Sequence, residues 1–186
     1  MKNWRPFIIA FNKGGVYNAA VWMSYTLVDT ELGRLGLVGS TVGLRRIVLP
    51  QPSQQSVLQL IMEGLPGAIA DPSPFGDLPY RLRRYLRGEP ISFDDKLDLT
   101  HATPFRRAVW EATRTIPYGE TKSYGWIAQQ IGKPKASRAV GQALAKNPLP
   151  IVVPCHRVVS KDGSLRGFGG GIAIRKRLLE LEAVSR

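Results

Sequence analysis

Short apolar segments separated by glycine-containing turns characterise the first half of the chain. Residues 25–30, 34–40 and 44–49 are rich in Leu, Val and Ile, and connections that contain Gly33 and Gly43 separate them. Segments of this length and spacing are typical of strands joined by hairpins. The pattern therefore predicts a small antiparallel sheet.

Helical spacing of apolar residues replaces this pattern after residue 52. It predicts one helix over 53–63 and a second that ends near Gly88. Residues 64–77, between them, contain three Gly and three Pro and predict a loop. Residues 1–23 match neither pattern and are expected to form an N-terminal extension. The apolar positions are Val57, Leu58 and Ile61 in the first helix and Leu78, Leu82, Tyr85 and Leu86 in the second.

A third helix is predicted where the second half of the chain begins, near residue 101. Thr103 is a suitable N-cap, and Pro104 suits the first helical turn. The apolar positions Phe105, Ala108, Val109 and Ala112 then follow at helical spacing before Pro117.

Two short helices around a tight turn are predicted over 123–146. Ser123 can cap the first helix, Gly132 can end it, and the second runs from about Ala136 to Lys146. This is the plan of a helix-turn-helix. The inward positions are expected to be Tyr124, Ile127, Ala128 and Ile131 in the first helix and Ala139, Val140, Ala143 and Leu144 in the second.

Strands followed by helices predict an α+β fold. It has a small N-terminal antiparallel sheet with helices over 24–100. A mostly helical part follows over 101–186 and contains the helix-turn-helix.

The outward face of the second helix carries Arg138, Gly141, Gln142 and Ala145, which are polar or small. A glycine inside a helix costs about 1 kcal/mol relative to alanine. Either another surface such as a DNA groove approaches Gly141 closely, or this glycine packs against a neighbouring element.

Positive charge is concentrated in the same half of the chain. Residues 101–186 carry 15 Lys and Arg against 5 Asp and Glu, whereas residues 1–100 carry 11 against 9. This uneven distribution of charge favours a polyanion as the binding partner. The alternative is a basic surface with no specific partner.

Prolines surround the single cysteine in the segment 147–159. Pro148, Pro150 and Pro154 lack backbone N–H groups, so the segment is expected to follow an extended, non-sheet path that carries Cys155 out of a buried apolar stretch. A free thiol with a pKa of about 8.5 is only a few per cent thiolate at neutral pH, so a neighbouring base would activate it. His156 is the candidate base, directly or through water, and the alternative is a structural histidine.

Composition narrows the remaining classes of function. One cysteine excludes an intramolecular disulfide, and with only two histidines a structural zinc site is not expected. No apolar run is long enough to span a bilayer, so we expect a cytoplasmic protein without a membrane partner.

The Pro-Cys-His-Arg-Val run at 154–158 resembles the signature of the O6-alkylguanine-DNA alkyltransferases, also called methylated-DNA–protein-cysteine methyltransferases. The similarity extends over about 160 residues. Its further motifs are Thr103-Pro104-Phe105 to Trp110, Ile116 to Glu120, Ser123-Tyr124, Ser137 to Gly141, Asn147-Pro148 and Gly170-Gly171 to Glu182, with a weaker match from Thr26 to Leu49.

The resemblance implies a ribonuclease H-like N-terminal domain and a C-terminal DNA-binding alkyltransferase domain. It implies stoichiometric transfer of an alkyl group from O6-alkylguanine in duplex DNA to Cys155, and it leaves O4-alkylthymine open as a second substrate. His156 would act as base through water, Glu182 would orient His156, and Tyr124 would assist protonation of the leaving base. No cofactor or metal is implied, and a monomer is expected.

The same resemblance implies that the target base is flipped out of the duplex. Arg138 would fill the gap in the stack, and the carbonyls of Cys155 and Val158 would bind the guanine amino group. The implied DNA-contacting residues are Ser137, Arg138, Gly141, Gln142 and Ala145, and the implied pocket residues are Leu144, Asn147, Val158, Phe168 and Gly169.

Two positions depart from the family pattern, since many relatives have tyrosine at Phe168 and some have serine at Gly169. We expect these departures to alter the preference among alkyl groups.

Three other functions remain open. A non-catalytic binder of alkylated DNA is disfavoured by Cys155, a helix-turn-helix regulator leaves the cysteine segment without a role, and a Cys-His hydrolase lacks a recognisable oxyanion hole.

Overall fold

The computed structural model describes residues 22–65, 67–160, 163 and 171–184. The extension predicted at 1–23 therefore lies almost wholly outside the described residues, as do Phe168 and Gly169. The α+β fold predicted from the sequence is confirmed.

Three of the four strands of the first sheet form an antiparallel meander, as predicted. They are β1 (Ser24–Thr30), β2 (Gly33–Gly39) and β3 (Leu44–Gln51). A fourth strand, β4 (Ile69–Ala70), pairs parallel to β1 and gives the order β3-β2-β1-β4. The predicted loop 64–77 thus contains a strand and a 3-10 turn at Ser73–Phe75, both too short to produce a periodic sequence pattern.

Helices cover both faces of this sheet. Helix α1 (Gln54–Gly64) is capped by Ser53 and buries Val57 and Ile61 against one face. A Cβ at Gly36 of β2 would lie 2.7 Å from Val57 Cγ1, so a glycine there lets the helix approach the sheet closely. Helix α2 (Leu78–Leu86) packs against the opposite face.

The second half is mainly helical. It comprises α3 (Pro104–Arg114), α4 (Tyr124–Gln130), α5 (Ser137–Ala145) and α6 (Ile172–Val184). Two short strands, β5 (Lys122–Ser123) and β6 (Val158–Val159), pair in parallel. Among the described residues, none of the helices has the length and apolar character required to cross a membrane.

One continuous core links the two halves of the chain. Leu35 and Leu37 of the sheet, Tyr85 of α2 and Trp110 of α3 belong to the same buried cluster as Cys155. The backbone N–H of Ile47 in β3 also donates to the carbonyl of Pro148, 2.8 Å away. The cysteine segment therefore rests against the edge of the N-terminal sheet, while the division into domains at residue 100 stays a prediction.

The predicted helix-turn-helix corresponds to α4 and α5. Ser123 Oγ accepts from the N–H of Trp126 at 3.1 Å and so caps α4. Gly132 follows the helix with a φ of 68°, and the N–H of Lys133 bonds back to the carbonyl of Ala128. A glycine is favoured there because side chains disfavour positive φ.

Candidate active site

The cysteine segment turns sharply before it reaches Cys155. Pro150 and Val153 form an isolated bridge, and Ile151 between them has a φ of 74°. This is an unusual conformation for a β-branched residue. The expected extended path is therefore wrong over 150–153, although Ile151, Val152 and Val153 are buried as expected. The tight turn reverses the chain and directs Cys155 into a 3-10 turn over Cys155–Arg157.

Asn147 stabilises this turn and contacts the nucleophile. Its Nδ2 donates to the carbonyl of Val153 at 2.9 Å and to Cys155 Sγ at 3.0 Å. Its Oδ1 accepts from the N–H of Leu149 at 3.0 Å. One side chain therefore connects the end of α5 with the turn and with the sulfur.

Cys155 is almost completely buried, with 6% of its surface exposed. Burial raises the pKa of the thiol to about 11, and the Asn147 hydrogen bond and the positive charge of Arg175 oppose that effect only in part. The resting group is therefore a thiol. A proton acceptor must act during the reaction.

His156 provides a neutral imidazole next to this thiol. It is fully buried, and burial lowers its pKa below the ordinary value. Its Nε2 lies 2.8 Å from Oε1 of Glu182. Nδ1 has no hydrogen-bond partner among the described residues. The carboxylate fixes the proton on Nε2, which leaves the lone pair of Nδ1 available as a base.

Glu182 lies in α6 and receives several donors at once. Arg157 Nε and Nη2 donate to it at 3.0 and 2.9 Å, and the N–H of Gly119 donates at 3.0 Å. These donors and His156 outweigh burial and lower the pKa of Glu182 to about 2. Glu182 is therefore a carboxylate at neutral pH, consistent with the orienting role that the family resemblance implies.

Three residues of this site were missed at the level of sequence. Tyr85 donates to Oε1 of Glu182 at 2.6 Å, Arg157 pairs with the same carboxylate, and Arg175 donates to the carbonyl of Val158. Arg157 follows His156 directly and could have been considered from its position in the motif. The apolar spacing places Tyr85 only on the buried face of a helix, and nothing in the local sequence marks it as part of this site.

The short β5–β6 ladder joins the cysteine segment to the helix-turn-helix. Lys122 pairs with Val158 and Ser123 with Val159, one residue before Tyr124 begins α4. The ladder therefore sets the position of Tyr124 relative to Cys155. Val158 itself is fully buried, and its N–H donates to the carbonyl of Cys155.

Helix α5 has an exposed face of the predicted composition. Arg138, Gln142 and Ala145 are exposed, and Ser137 and Gly141 are partly so. Ala139 was expected to point inward but is exposed. The buried positions of α5 are Val140, Ala143 and Leu144, because α3 and α4 both pack on that side and Trp110 Nε1 donates to the carbonyl of Ala143.

Gly141 lies beside the ring of Tyr124. A Cβ at this position would sit 3.7 Å from Tyr124 Cε1, an ordinary contact distance. The fold therefore has room for alanine at residue 141, and close packing inside the protein does not account for the glycine.

A cleft of about 470 Å³ reaches Cys155 from the surface. Leu144, Asn147 and Pro150 line it together with the cysteine, and so do Arg46 and Gln51 of β3. Of the predicted pocket residues, Leu144 and Asn147 therefore meet Cys155 in one cleft, whereas Val158 does not line it. Within the described ranges, no group of His, Cys, Asp and Glu side chains could hold a metal ion.

The chain is similar to known proteins along most of its length. Residues 104–184 match a family model described as 6-O-methylguanine DNA methyltransferase, DNA binding domain. A Mycobacterium bovis protein named methylated-DNA–protein-cysteine methyltransferase is 44% identical over 159 residues, which cover 85% of this chain and 91% of the relative.

Solved structures give the same result. The crystal structure of the Mycobacterium tuberculosis O6-methylguanine methyltransferase has a TM-score of 0.72 and 42% identity, covering 88% of this chain and 94% of that one. The M. tuberculosis homologue crystallised in complex with DNA has a TM-score of 0.73 and 43% identity, covering 87% and 93%. The fold, the residues around Cys155 and this degree of identity together show that the chain belongs to the methylated-DNA–protein-cysteine methyltransferase family.

Proposed function

We propose that this protein repairs duplex DNA by transferring the alkyl group of O6-alkylguanine to the sulfur of Cys155. The arrangement of Cys155 beside a cleft, followed by a neutral buried His156 that Glu182 orients, carries this proposal. Membership of the methyltransferase family and the DNA complex of the M. tuberculosis homologue support the same substrate.

In the proposed reaction, the thiol proton passes to Nδ1 of His156 through a water molecule. The sulfur then attacks the alkyl carbon, so an S–C bond forms as the C–O6 bond breaks. The guanine leaves as an anion and takes a proton that the Tyr124 hydroxyl supplies. The proton on the His156 imidazolium then passes to the Tyr124 phenolate through solvent, which restores both side chains. The products are an S-alkylcysteine and an intact guanine, and the proton lost by the thiol equals the proton gained by the base.

The target guanine is proposed to leave the helical stack, because an O6 substituent inside a duplex cannot reach a buried sulfur. Arg138 is exposed at the second residue of α5 and would occupy the vacated space. Ser137, Gly141, Gln142 and Ala145 would contact the DNA alongside it. The exposed surface of this helix offers small side chains that permit a close approach.

The guanine itself is proposed to lie against Leu144, Asn147 and Val158, with Phe168 and Gly169 contributing to the pocket. The carbonyls of Cys155 and Val158 each already accept one intramolecular hydrogen bond. A carbonyl oxygen has two lone pairs, so each can also accept from the guanine amino group.

Mass spectrometry of the reacted protein tests the proposal. Incubation with an excess of duplex containing one O6-methylguanine should add about 14 Da, one methyl group replacing one hydrogen, to the peptide with Cys155. Because the thioether is stable and there is no second cysteine to accept the methyl group, the reaction should stop at one equivalent per protein. A Cys155→Ala variant should bind the duplex without transfer.

Three results would change this assignment. Continued turnover would exclude a stoichiometric acceptor, and binding of the modified duplex without a mass change would indicate a non-catalytic binder. Transfer from O4-methylthymine, measured as a separate arm, would extend the substrate range that we propose.

Size-exclusion chromatography of the reacted complex tests the expectation that a monomer acts on the DNA.

A further inference from the structure

Tyr85 brings the N-terminal half of the chain into contact with the residues that would activate Cys155. It lies in α2, 71 positions before His156 and 97 before Glu182, and outside the 104–184 region that matches the family model. Its side chain is fully buried. A buried hydroxyl group requires a hydrogen-bond partner, and here the partners come from distant parts of the chain.

The Tyr85 hydroxyl has two partners, both in the proposed relay. It donates to Oε1 of Glu182 at 2.6 Å and lies 3.0 Å from Nε2 of His156. A hydroxyl can donate one hydrogen bond and accept others, so its oxygen can receive the Nε2–H that is also directed at Glu182. Tyr85, His156 and Glu182 thus form a closed triangle of hydrogen bonds.

The charge state of the tyrosine fits this arrangement. Burial and the adjacent carboxylate of Glu182 raise the pKa of Tyr85 well above its ordinary value, so the hydroxyl keeps its proton. It can therefore act as a donor to Glu182 but cannot compete with His156 as a base.

We propose that Tyr85 is a positioning residue that aligns the His156 imidazole, whose Nε2–H Glu182 fixes, and so directs the lone pair of Nδ1 toward the thiol proton. The inference rests on the proposed reaction for its rate effects. It assigns to the N-terminal half a direct part in arranging the reactive centre.

Removal of the hydroxyl has two consequences. The imidazole loses one of the two acceptors of its Nε2–H, so its alignment is less tightly fixed. Glu182 also loses a donor, and its carboxylate then stabilises the protonated imidazole more strongly. Since a carboxylate is a stronger partner of a cation than a neutral hydroxyl is, the second effect determines the sign, and the pKa of His156 should rise.

A Tyr85→Phe variant tests this inference, because phenylalanine keeps the ring that packs edge-on against Phe93 and Tyr118. Single-turnover methyl transfer at saturating DNA should slow by roughly three- to tenfold, the range expected for loss of one hydrogen bond. The acidic limb of the rate profile should move to higher pH by about half a unit. The dissociation constant for DNA and the melting temperature should change little.

Nitrogen-15 NMR of the DNA-free protein gives a readout that does not depend on repair. The chain has only two histidines, so the His156 ring signals are readily separated from those of His101. Both the native protein and Tyr85→Phe should show the Nε2–H tautomer, because Glu182 still accepts from Nε2, but Tyr85→Phe should show a higher pKa for His156. A Tyr118→Phe variant is the matched control, because it also removes one tyrosine hydroxyl. The hydroxyl of Tyr118 lies within hydrogen-bond distance of the backbone carbonyls of Gly88 and Leu181.

The outcomes separate the two proposals. If Tyr85→Phe retains the native His156 titration and the native rate, Tyr85 has no positioning role. If it loses rate and melting temperature together while the His156 signals stay native, its role is structural, and the inference is also wrong. If the native protein transfers no methyl group at all, the proposed function fails, and the NMR measurement still decides the role of Tyr85.

Discussion

Glu182 and His156 are 26 residues apart along the chain, yet Oε1 of Glu182 lies 2.8 Å from Nε2 of His156 in the fully buried centre of the site. This contact brings the C-terminal helix and the cysteine segment together. It also gives each residue a defined charge state, a carboxylate and a neutral imidazole. Both charge states contribute to the free energy of unfolding.

A Glu182→Gln variant should be less stable than the native protein at neutral pH, and the difference should shrink in acid. The pKa of Glu182 is lowered from 4.5 to about 2 in the folded state. Stability from a lowered carboxyl pKa is fully present above the unfolded value and is lost as pH falls toward the folded value. The native advantage should be on the order of 2 to 3 kcal/mol at pH 7 and decline between about pH 5 and pH 2.

Urea unfolding of both proteins from pH 7 to pH 3 measures this difference directly. Other carboxyl groups are common to the two proteins, so their titration cancels in the comparison. A stability difference that stays constant over the whole range would show that Glu182 does not hold the lowered pKa that the buried contacts give it.

The thiol of Cys155 should react slowly with iodoacetamide at neutral pH. Because its pKa is raised to about 11, the alkylation rate should increase about tenfold per pH unit from pH 7 to pH 10 without reaching a plateau. Asn147→Ala removes a hydrogen bond that favours the thiolate, so it should slow alkylation further at each pH. A plateau below pH 9 in the native protein would show instead that the thiolate is held in the resting state.

Gly141→Ala should make the protein more stable and weaken its binding to DNA. The added methyl group would meet Tyr124 at an ordinary distance, so the helix should gain about 0.5 to 1 kcal/mol. If α5 lies in a groove of the DNA, the same methyl group separates the two surfaces and the dissociation constant should rise several-fold.

Gly125→Ala is the matched control, since Gly125 lies in α4 and a Cβ there would also meet only ordinary contacts, 3.6 Å from Ser123 Oγ. It should increase stability without changing the dissociation constant. Thermal unfolding and fluorescence anisotropy with a labelled duplex provide both measurements. If DNA binds Gly141→Ala as tightly as the native protein, residue 141 does not lie in the interface.

Arg138→Ala should slow repair far more than it weakens binding. Loss of the side chain that fills the stack should reduce the single-turnover rate roughly ten- to hundredfold, corresponding to about 1.4 to 2.7 kcal/mol. A 2-aminopurine placed next to the lesion reports base extrusion by its fluorescence. Lys135→Ala, which removes an exposed charge from the turn before α5, should affect binding modestly and leave the extrusion signal intact. An unchanged repair rate in Arg138→Ala would remove this residue from the mechanism.

Phe168→Tyr should change the preference for alkyl size while preserving methyl transfer. The expectation comes from the family pattern, in which a tyrosine hydroxyl often occupies this position. Competition between duplexes with O6-methylguanine and O6-benzylguanine gives the ratio of the two rates. If the native protein proved nearly inactive and Phe168→Tyr restored its methyl transfer, phenylalanine at this position would impair activity itself. The predicted change in preference for alkyl size would then be wrong.

Much of the local structure could be predicted because short-range interactions determine it. The three long strands, the caps at Ser123 and Thr103 and the glycine that ends α4 all depend on residues a few positions apart. Adjacent residues also make Cys155 and His156 candidates for nucleophile and base, and the family resemblance assigns them those roles. Strand β4 and the β5–β6 ladder were not predicted, because two-residue pairings depend on partners elsewhere in the chain.

The exposed position of Ala139 illustrates the same limit within a helix. Apolar spacing identified which residues of α5 could be buried, but it could not choose between Ala139 and its neighbours. Helices α3 and α4 make that choice by packing beside Val140 and Ala143. The turn at Ile151 is a further case, since the surrounding contacts hold a backbone conformation that isoleucine disfavours by itself.

The sequence by itself determined the α+β pattern, the helix-turn-helix and the chemistry available at Cys155 and His156. Only the tertiary structure decided that the thiol is protonated and that Tyr85 joins His156 and Glu182. The physical reason is that hydrogen-bonding capacity and periodicity are local properties, whereas burial, and with it each shifted pKa, depends on which distant segments exclude water from the same site.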